Sequence, residues 1–343
     1  MKKIFKKIGK IALIALSSLV GLVLLALGGL NVAKFIIYSD YYAIEDSVCK
    51  IPGTGDGFVC QGIGASEENG VILVSGYMKD GSASRVYLTT TDNEARYVSL
   101  HKNGKSFTGH AGGIATANGF VYIASGSKIY TLSLSELLTA ENGATVDIGE
   151  GVKVNNSASF VYTDDSYLYV GEFHDGGAYT IVGHENTTKE GTHYAICSKY
   201  ALSDLTTPVA VYSIRNKVQG ICFTPNGKVV MSTSYGLTDS VYYVYNLAEA
   251  TDSGKTFDGA PLYYLDTLEK EVKGPAMAEG LDYYEGKIIT LTESASDKYI
   301  FGKFFNARHI VSLDLASGQK NEGGEILQIR GNFLPFSHNF YKR

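Results

Sequence analysis

The chain has 343 residues, of which 12% are aromatic, and it contains 25 Tyr, no Trp, 39 Gly and only 6 Pro. A chain of this length holds one large β domain or two ordinary ones, and many Tyr with Gly at turns is typical of packed strands. Residues 41–343 carry 24 Lys and Arg against 34 Asp and Glu, a net charge of −10. This balance excludes the basic surface that binds nucleic acid.

The N-terminus begins with ten residues rich in Lys, followed by an uncharged apolar stretch at 11–30. Twenty helical residues, at about 1.5 Å each, cross a hydrocarbon core about 30 Å thick, and the preceding lysines favour a cytoplasmic start. We therefore predict a cytoplasmic segment at 1–10, a single-pass signal anchor at 11–38 and an extracytoplasmic domain at the cell membrane. A cleaved signal peptide is the alternative, although Asn31 is a poor cleavage-site residue. Both alternatives export the domain.

The four cysteines are compatible with export, and none belongs to a C-x-x-C pair that would indicate a zinc or thioredoxin-like site. A disulfide between Cys49 and Cys60, closing the entrance of the domain, is one hypothesis. Cys197 and Cys222 are expected to be small buried apolar residues.

A short phrase recurs along the chain, in which a polar or small residue and a glycine precede Ile or Leu. The copies are Gln61-Gly62-Ile63, Gly112-Gly113-Ile114, Gln219-Gly220-Ile221 and Glu279-Gly280-Leu281, with a degenerate copy at 156–160. A turn and an apolar β-rich run follow each copy. Repetition with a period of about 45–60 residues indicates an array of structural repeats.

The repeats predict an all-β fold, a β-propeller of five four-stranded blades. The propeller is predicted at 58–330, after a tether at 39–57 and before a C-terminal tail at 331–343 that packs on it. The fourth strands of the second, fourth and fifth repeats are predicted at 144–148, 261–266 and 324–329. Six blades are the alternative, if the tether and the tail pair or if the third or fourth repeat divides in two.

One face of the propeller is predicted to carry the binding site. In a four-stranded blade the first strand begins on the face where the second strand ends. The recurring phrases and the loops between second and third strands therefore share one face around the central axis, which we call the opening face. Its predicted ligand-binding residues are Gln61, His110, Asn156, Glu172, His174, Gln219, Tyr235, Glu279 and Glu293. Convergent polar groups of this kind favour a binding site, although each could instead support the blade.

The loop at 172–193 is long and contains three of the seven histidines. His174, Asp175, His184 and Glu185 are the types of residue that ligate a transition metal or act as a general base. Their spacing follows no metal-ligand motif, so a polar surface lid is the alternative. His110 and His174 are the candidate catalytic residues.

Two stretches carry a family resemblance: V-Q-G-I-C-F-T-P-N-G-K-V at 218–229 and G-L-D-Y-Y-E-G-K-I at 280–288. They resemble the blade openings of the gluconolactonase, paraoxonase and strictosidine-synthase-like superfamily of six-bladed propellers. The resemblance implies a Ca²⁺ ion at the channel mouth, held here by Asn156, Gln219 and Glu279, and hydrolysis of lactones or esters. Gln61 and His110 depart from this pattern, because the family has acids at their positions.

The sequence thus leaves more than one class of function open. The first hypothesis is a membrane-anchored ectodomain that binds a ligand or a cell-envelope partner at the opening face. The second is a calcium-dependent lactonase or esterase, and a purely structural envelope protein is a third.

Overall fold

The computed structural model describes residues 2–305 and 307–315, and within them the chain begins with a long helix, Lys2–Ile37, and a short one, Ser39–Tyr42. The stretch Ile4–Ile37 is long and apolar enough to cross a membrane, by length and composition. Its apolar side chains are exposed rather than packed in a core. A buried core helix would show the opposite pattern.

The rest of the described chain forms five antiparallel blades, each with its first strand innermost. Blade 1 comprises Phe58–Ser66, Val71–Met78, Arg85–Thr89 and Ala95–Lys102. Blade 2 comprises Gly113–Ala117, Phe120–Ser125, Lys128–Ser133 and Val152–Lys153. Blade 3 comprises Phe160–Thr163, Tyr167–Gly171, Ala195–Ala201 and Asp204–Ile214. Blade 4 comprises Val218–Phe223, Lys228–Thr233, Ser240–Asn246 and Leu268–Gly274. Blade 5 comprises Ala278–Tyr284, Lys287–Thr292, His309–Leu313 and Glu45–Lys50. The predicted five-bladed, all-β propeller is confirmed.

Blade 5 closes the ring by joining strands from the two ends of the domain. Glu45–Lys50 pairs antiparallel with His309–Leu313 as the outer strand. The segment 39–57, predicted as a tether, thus contributes a strand whose backbone completes the last sheet and removes an open edge. The strand predicted at 324–329 and the tail at 331–343 lie outside the described residues.

Two further β-rich runs extend the preceding blade rather than their own. Ala144–Asp147 pairs in parallel with Ala95–Lys102 of blade 1, and Ala260–Tyr264 pairs in parallel with Asp204–Ile214 of blade 3. The strands predicted at 144–148 and 261–266 were thus assigned to the wrong blades. The outer strand of a neighbouring blade offers an unpaired edge, which can hydrogen-bond the backbone groups of the added strand as well as its own blade can. The residue pattern of a strand does not specify which edge the strand joins.

Small elements complete the described chain. One helix, Leu134–Thr139, and the 3₁₀ turns Glu67–Asn69, Leu247–Glu249, Glu293–Ala295 and Phe301–Phe305 lie in the connections. The remaining short strands are Lys105–Ser106, the hairpin Asn186–Thr188 with Gly191–His193, and Thr251–Phe257.

The glycines of the recurring phrase allow the inner strands to meet backbone to backbone at the axis. A Cβ atom on Gly62 would lie 2.7 Å from the Cα of Gly113, and one on Gly220 would lie 2.8 Å from the Cα of Gly280. A Cβ atom on Gly280 would in turn lie 2.9 Å from the backbone nitrogen of Ile63. Side chains do not fit at such separations. The phrase therefore recurs because the axis is filled by main chain at this level.

Aromatic side chains fill the space between blades, which explains the Tyr-rich composition. The rings of Tyr169 and Phe223 stack with centroids 4.0 Å apart across blades 3 and 4. The hydroxyl of Tyr162, next to them, donates to the backbone oxygen of Phe223 at 2.6 Å. Buried Tyr is stable in a core when its hydroxyl finds such a partner.

The four cysteines, Cys49, Cys60, Cys197 and Cys222, are all buried free thiols. The hypothesis of a disulfide between the first two is therefore wrong. Cys197 and Cys222 are buried, as expected.

Candidate functional site

Three of the predicted opening-face residues lie at β-bulges in the inner strands. The pairing of first and second strands shifts between Cys60 and Gly62, between Val218 and Gly220, and between Ala278 and Leu281. An extra residue in one strand redirects its side chain and often lies next to a functional site. Gln61 and Gln219 lie within the first two bulges, and Glu279 lies with Gly280 within the third. The recurring phrase thus combines a glycine, which allows close packing, with a polar side chain. The bulge interrupts the alternation of side chains between the two faces of the sheet at this polar residue.

The most unusual feature of the opening face is a pair of neighbouring buried carboxyl groups, Glu279 and Glu293, whose charges interact. Glu279 is 2% exposed, and its Oε1 atom has no hydrogen-bond partner among the described residues. Glu293 follows the second strand of blade 5, and its Oε2 accepts a hydrogen bond from Nε2 of Gln61 in blade 1 at 3.0 Å. A buried acceptor without a partner is costly, so it marks a place for a proton or a ligand.

Hydrogen bonds and ring contacts extend from this pair across the opening face. The hydroxyl of Tyr299 lies close enough to Glu293 to affect the pKa of its carboxyl group, and it is 3.3 Å from the hydroxyl of Tyr77. The ammonium group of Lys298 donates to the same Tyr77 hydroxyl, and the Tyr77 ring stacks on His110 with centroids 4.8 Å apart. Four predicted residues, Gln61, His110, Glu279 and Glu293, thus lie in one region formed by blades 5, 1 and 2.

The pair has one acid that favours its proton and one that is better able to ionise. Burial and the neighbouring Glu293 charge raise the pKa of Glu279 well above its usual range. Burial also raises the pKa of Glu293, but Tyr299, Lys298 and Gln61 oppose that rise. Two buried carboxyl groups that lie side by side disfavour double ionisation, so the pair favours keeping one proton. Burial, followed by the nearby Lys298 charge, lowers the pKa of His110, which favours its neutral form.

The residues predicted from blade 3 are engaged in local structure. Asn156 donates to the backbone oxygen of Val170 at 2.7 Å, and its Oδ1 accepts from the backbone nitrogen of Ala158 at 3.1 Å. The Nδ1 atom of His174 accepts from the backbone nitrogen of Ile181 at 2.9 Å, and its ring stacks on Tyr194. In this arrangement both side chains stabilise the chain around the long loop.

Glu172 anchors the other part of the same loop. It is 1% exposed, and its Oε2 lies 2.8 Å from Nδ1 of His184. Backbone nitrogens of Ser157 and Ile196 also donate to it, each at 3.1 Å. A buried carboxylate with this many donors is a structural support. It holds the loop against blade 3, which favours the lid interpretation.

Two predicted residues lie in blade 4. The amide of Gln219 reaches the hydroxyl of Ser234 at 3.4 Å. Tyr235 is 45% exposed and lines a cavity of about 270 Å³ between blades 3 and 4, together with Arg215, Lys217 and Asp239. Gln219 therefore contacts its own blade, and Tyr235 faces this cavity, whereas the carboxyl pair contacts blade 1 through Gln61.

The proposed calcium ligands can be tested against these contacts. The oxygen of Asn156 is already an acceptor within its own turn. The described residues contain no group of three or more His, Cys, Asp or Glu side chains placed to hold a metal. A Ca²⁺ ion takes six to eight oxygen ligands, and its binding by Asn156, Gln219 and Glu279 remains a prediction. Glu279 and Glu293 are the oxygen donors that do lie together.

A larger cavity, not predicted from the sequence, lies at the opposite end of the axis. There, the turns between first and second strands surround a space of about 1030 Å³, which we call the funnel. All five blades contribute to its wall. Its acidic side chains are Glu67, Glu68, Asp164, Asp165 and Asp282, and its tyrosines are Tyr162, Tyr167, Tyr169 and Tyr283. The acidic turns Glu67-Glu68-Asn69 and Asp164-Asp165-Ser166 were visible in the sequence as a signal.

The funnel has a buried acid near its base and a cation on its wall. Asp282 is 8% exposed and accepts from the backbone nitrogens of Ala65 at 2.6 Å and Tyr283 at 2.8 Å. Burial, with smaller effects of Asp165 and Glu67, raises the pKa of Asp282 to about 7. Lys199 lies over the ring of Tyr167, 3.8 Å from its centroid. The wall therefore already accommodates one ammonium group on an aromatic face.

Comparisons with known proteins give no family. No family model matches the sequence, and no curated protein matches it. Among solved structures, the hydrazine synthase of Kuenenia stuttgartiensis is 11% identical with a TM-score of 0.36, covering 71% of this chain and 59% of its own. A nidogen/laminin complex chain is 10% identical with a TM-score of 0.38, covering 69% and 73%. The PQQ-bound aldose sugar dehydrogenase of Streptomyces coelicolor is 14% identical with a TM-score of 0.39, covering 73% and 77%.

These similarities are too low to carry a function. This chain spans about 59% of the hydrazine synthase chain. The predicted likeness to the gluconolactonase and paraoxonase superfamily remains a prediction, and the function has to be argued from the residues.

Proposed function

We propose that this protein is a single-pass membrane protein whose extracytoplasmic propeller binds a cationic ligand in the funnel. The observation that carries the proposal is the cavity of about 1030 Å³ on the axis, which is lined by all five blades and takes its carboxyl groups and tyrosines from blades 1, 3 and 5. A concave site of this size with convergent polar groups is typical of ligand binding. The N-terminal helix, long and apolar enough to span a membrane, supports the anchor.

The charge of the wall selects the class of ligand. Five carboxyl groups face one ammonium group, that of Lys199, among the residues that line the funnel. Charges of one sign inside a concave low-dielectric wall attract the opposite charge. Tyrosine faces add cation–π contacts. Polyamines and Lys-rich peptide segments combine positive charge with an apolar stem and fit such a wall.

Calorimetric titration with spermine and with tetralysine tests this site on the full-length chain in detergent. We expect binding that weakens with added salt, and a loss of about tenfold or more in affinity in the double variant Glu68→Gln, Asp165→Asn. Asp80→Asn, an exposed aspartate on another loop, is the matched control and should bind normally. Equal affinities of the double variant and the control would refute the funnel as the site.

The anchor and its orientation have a separate test. The mature protein should retain the apolar stretch at 11–30, and protease added to intact cells should digest the propeller. A mature N-terminus near residue 34 would show a cleaved signal instead.

The carboxyl pair supports a second candidate, the calcium-dependent lactonase or esterase implied by the family resemblance. Glu279 and Glu293 would hold the ion, with water completing its shell, and the ion would supply charge to polarise a carbonyl. The observation in favour is the buried Oε1 atom of Glu279 without a partner among the described residues. His110, neutral and stacked on Tyr77, would be the base near the surface.

Calcium titration of the melting temperature tests this candidate. A rise that saturates with Ca²⁺ and is lost in Glu279→Gln would support a site at the pair. Hydrolysis of lactone or ester substrates should then fall with the same substitution. An unchanged melting temperature across the titration would reject the metal site.

A further inference from the structure

The anchor helix leaves the propeller at the opening face. Nδ2 of Asn31 donates to the backbone oxygen of Lys303 at 3.0 Å. The hydroxyl of Tyr38 donates to Oδ1 of Asp239 at 2.9 Å, and the Tyr38 ring packs edge-on against Phe305. Asp239 belongs to the second-to-third strand loop of blade 4, and Lys303 and Phe305 belong to that of blade 5. The helix is thus docked on two loops of one face.

The position of these contacts along the helix sets the distance to the lipid. Asn31 is the first polar residue after the apolar run Leu19–Leu30, and the next charged residue is Lys34. If the stretch at 11–30 spans the hydrocarbon core, Asn31 lies at its boundary, and only about 12 Å of helix separate Leu30 from Tyr38. The interfacial layer on each side of the core is about 5–8 Å thick. The loop containing Lys303 therefore lies at the depth of the lipid headgroups.

Exposed apolar side chains are concentrated on the same face. Outside the N-terminal helix, nine large apolar side chains of the described chain are exposed. Six of them lie in the second-to-third strand loops: Tyr179, Val182, Tyr235, Leu237, Ile300 and Phe301. Ile300 is 77% exposed and Phe301 64% exposed, two residues before the contact with Asn31. Water-exposed side chains of this kind mark an interaction surface.

We propose that the opening face rests on the membrane that the anchor helix crosses, with the loops of blades 3, 4 and 5 inserted into its headgroup layer. The occupant is the lipid surface, because the anchor places the bilayer next to Ile300 and Phe301. Apolar and aromatic side chains gain free energy at this depth. This inference rests on the membrane anchoring of the proposed function.

The absence of Trp from the sequence allows a direct test, since one introduced Trp is the single strong emitter. Full-length Phe301→Trp and Leu237→Trp, reconstituted in phosphatidylcholine vesicles, should lose about half of their emission to lipids brominated near the headgroup end of the chains. Phe120→Trp, 47% exposed at a turn on the opposite face, is the matched control and should not be quenched. Leu22→Trp, within the helix, should be quenched by bromine near the chain ends. Circular dichroism confirms that each variant is folded.

The outcomes separate the two proposals. Quenching of Leu22→Trp without quenching of Phe301→Trp and Leu237→Trp would overturn the membrane-resting face and leave the anchor intact. Absence of quenching at Leu22→Trp as well would overturn both. A blue-shifted emission of Phe301→Trp without bromine quenching would indicate contact with a second protein copy, and would also overturn the proposal.

Discussion

Asp282 should make the stability of the propeller decrease as the pH rises towards neutrality. Its folded-state pKa of about 7 lies far above the ordinary value of 3.8. Between these two values the folded protein holds a proton that the unfolded chain has released. The free energy of unfolding therefore falls as the pH rises from about 4 to about 7, and above that range the loss is complete and constant.

The difference between a pKa of 3.8 and one of about 7 corresponds to a loss of about 4 kcal/mol, an order-of-magnitude figure. Asp282→Asn should remove this slope, because the amide does not titrate. The variant should also be less stable at pH 5 by about 1–3 kcal/mol, since its NH₂ group faces one of the two backbone donors. That second cost is independent of pH.

Urea unfolding of the full-length chain in detergent, followed by tyrosine fluorescence from about pH 5 to pH 8, measures the slope. The other carboxyls contribute equally to both proteins, so the difference in slope isolates Asp282. Asp80→Asn should retain nearly the wild-type slope. Parallel curves for the wild type and Asp282→Asn would refute the assignment of a buried, neutral acid at the base of the funnel.

Two further substitutions test the architecture. Gly220→Ala places a methyl group 2.6 Å from the backbone nitrogen of Leu281, so we expect the free energy of unfolding in urea to fall by about 3 kcal/mol. Gly55→Ala, with open space around it, is the control and should leave the stability unchanged. Equal stabilities of the two variants would contradict the packed axis. His184→Ala removes a hydrogen bond of the buried Glu172, so limited proteolysis within the 172–193 loop should become about tenfold faster. His101→Ala, in the strand Ala95–Lys102 of blade 1, serves as its control. Equal digestion rates of the two variants would show that the hydrogen bond between His184 and Glu172 does not stabilise the loop.

The recurring phrase was a sound guide to architecture because its cause is local. A glycine lies in the inner strand of four of the five blades where it touches the next blade, as at Gly62 and Gly280, and the copy in blade 3 lacks it. The outer strands have no such requirement. Ala144–Asp147 and Ala260–Tyr264 satisfy their backbone on a neighbouring blade, and Glu45–Lys50 closes the ring from far along the chain. Such choices depend on which edge is open in space.

The candidate site was predictable only in part for a similar reason. Bulges explain why Gln61 and Glu279 leave the strand pattern and meet Glu293. The loop residues Tyr299 and Lys298 join them through tertiary packing that no spacing indicates. Asn156 lies before the first strand of blade 3, and Glu172 follows its second strand, as predicted. Both side chains, however, hydrogen-bond nearby backbone groups.

The anchor helix decides which end of the axis a dissolved ligand reaches. If the opening face rests on lipid, the funnel is the end of the propeller that faces the aqueous phase, and its carboxylates meet soluble cations directly. The pair of Glu279 and Glu293 then lies beside Tyr299, next to the inserted residues Ile300 and Phe301. A lactone or ester reaching that pair would have to arrive from the membrane. If the protein in vesicles hydrolyses a short-chain, water-soluble ester as fast as it does in detergent, a lipid-covered opening face is contradicted. Activity confined to esters of membrane lipids would agree with it.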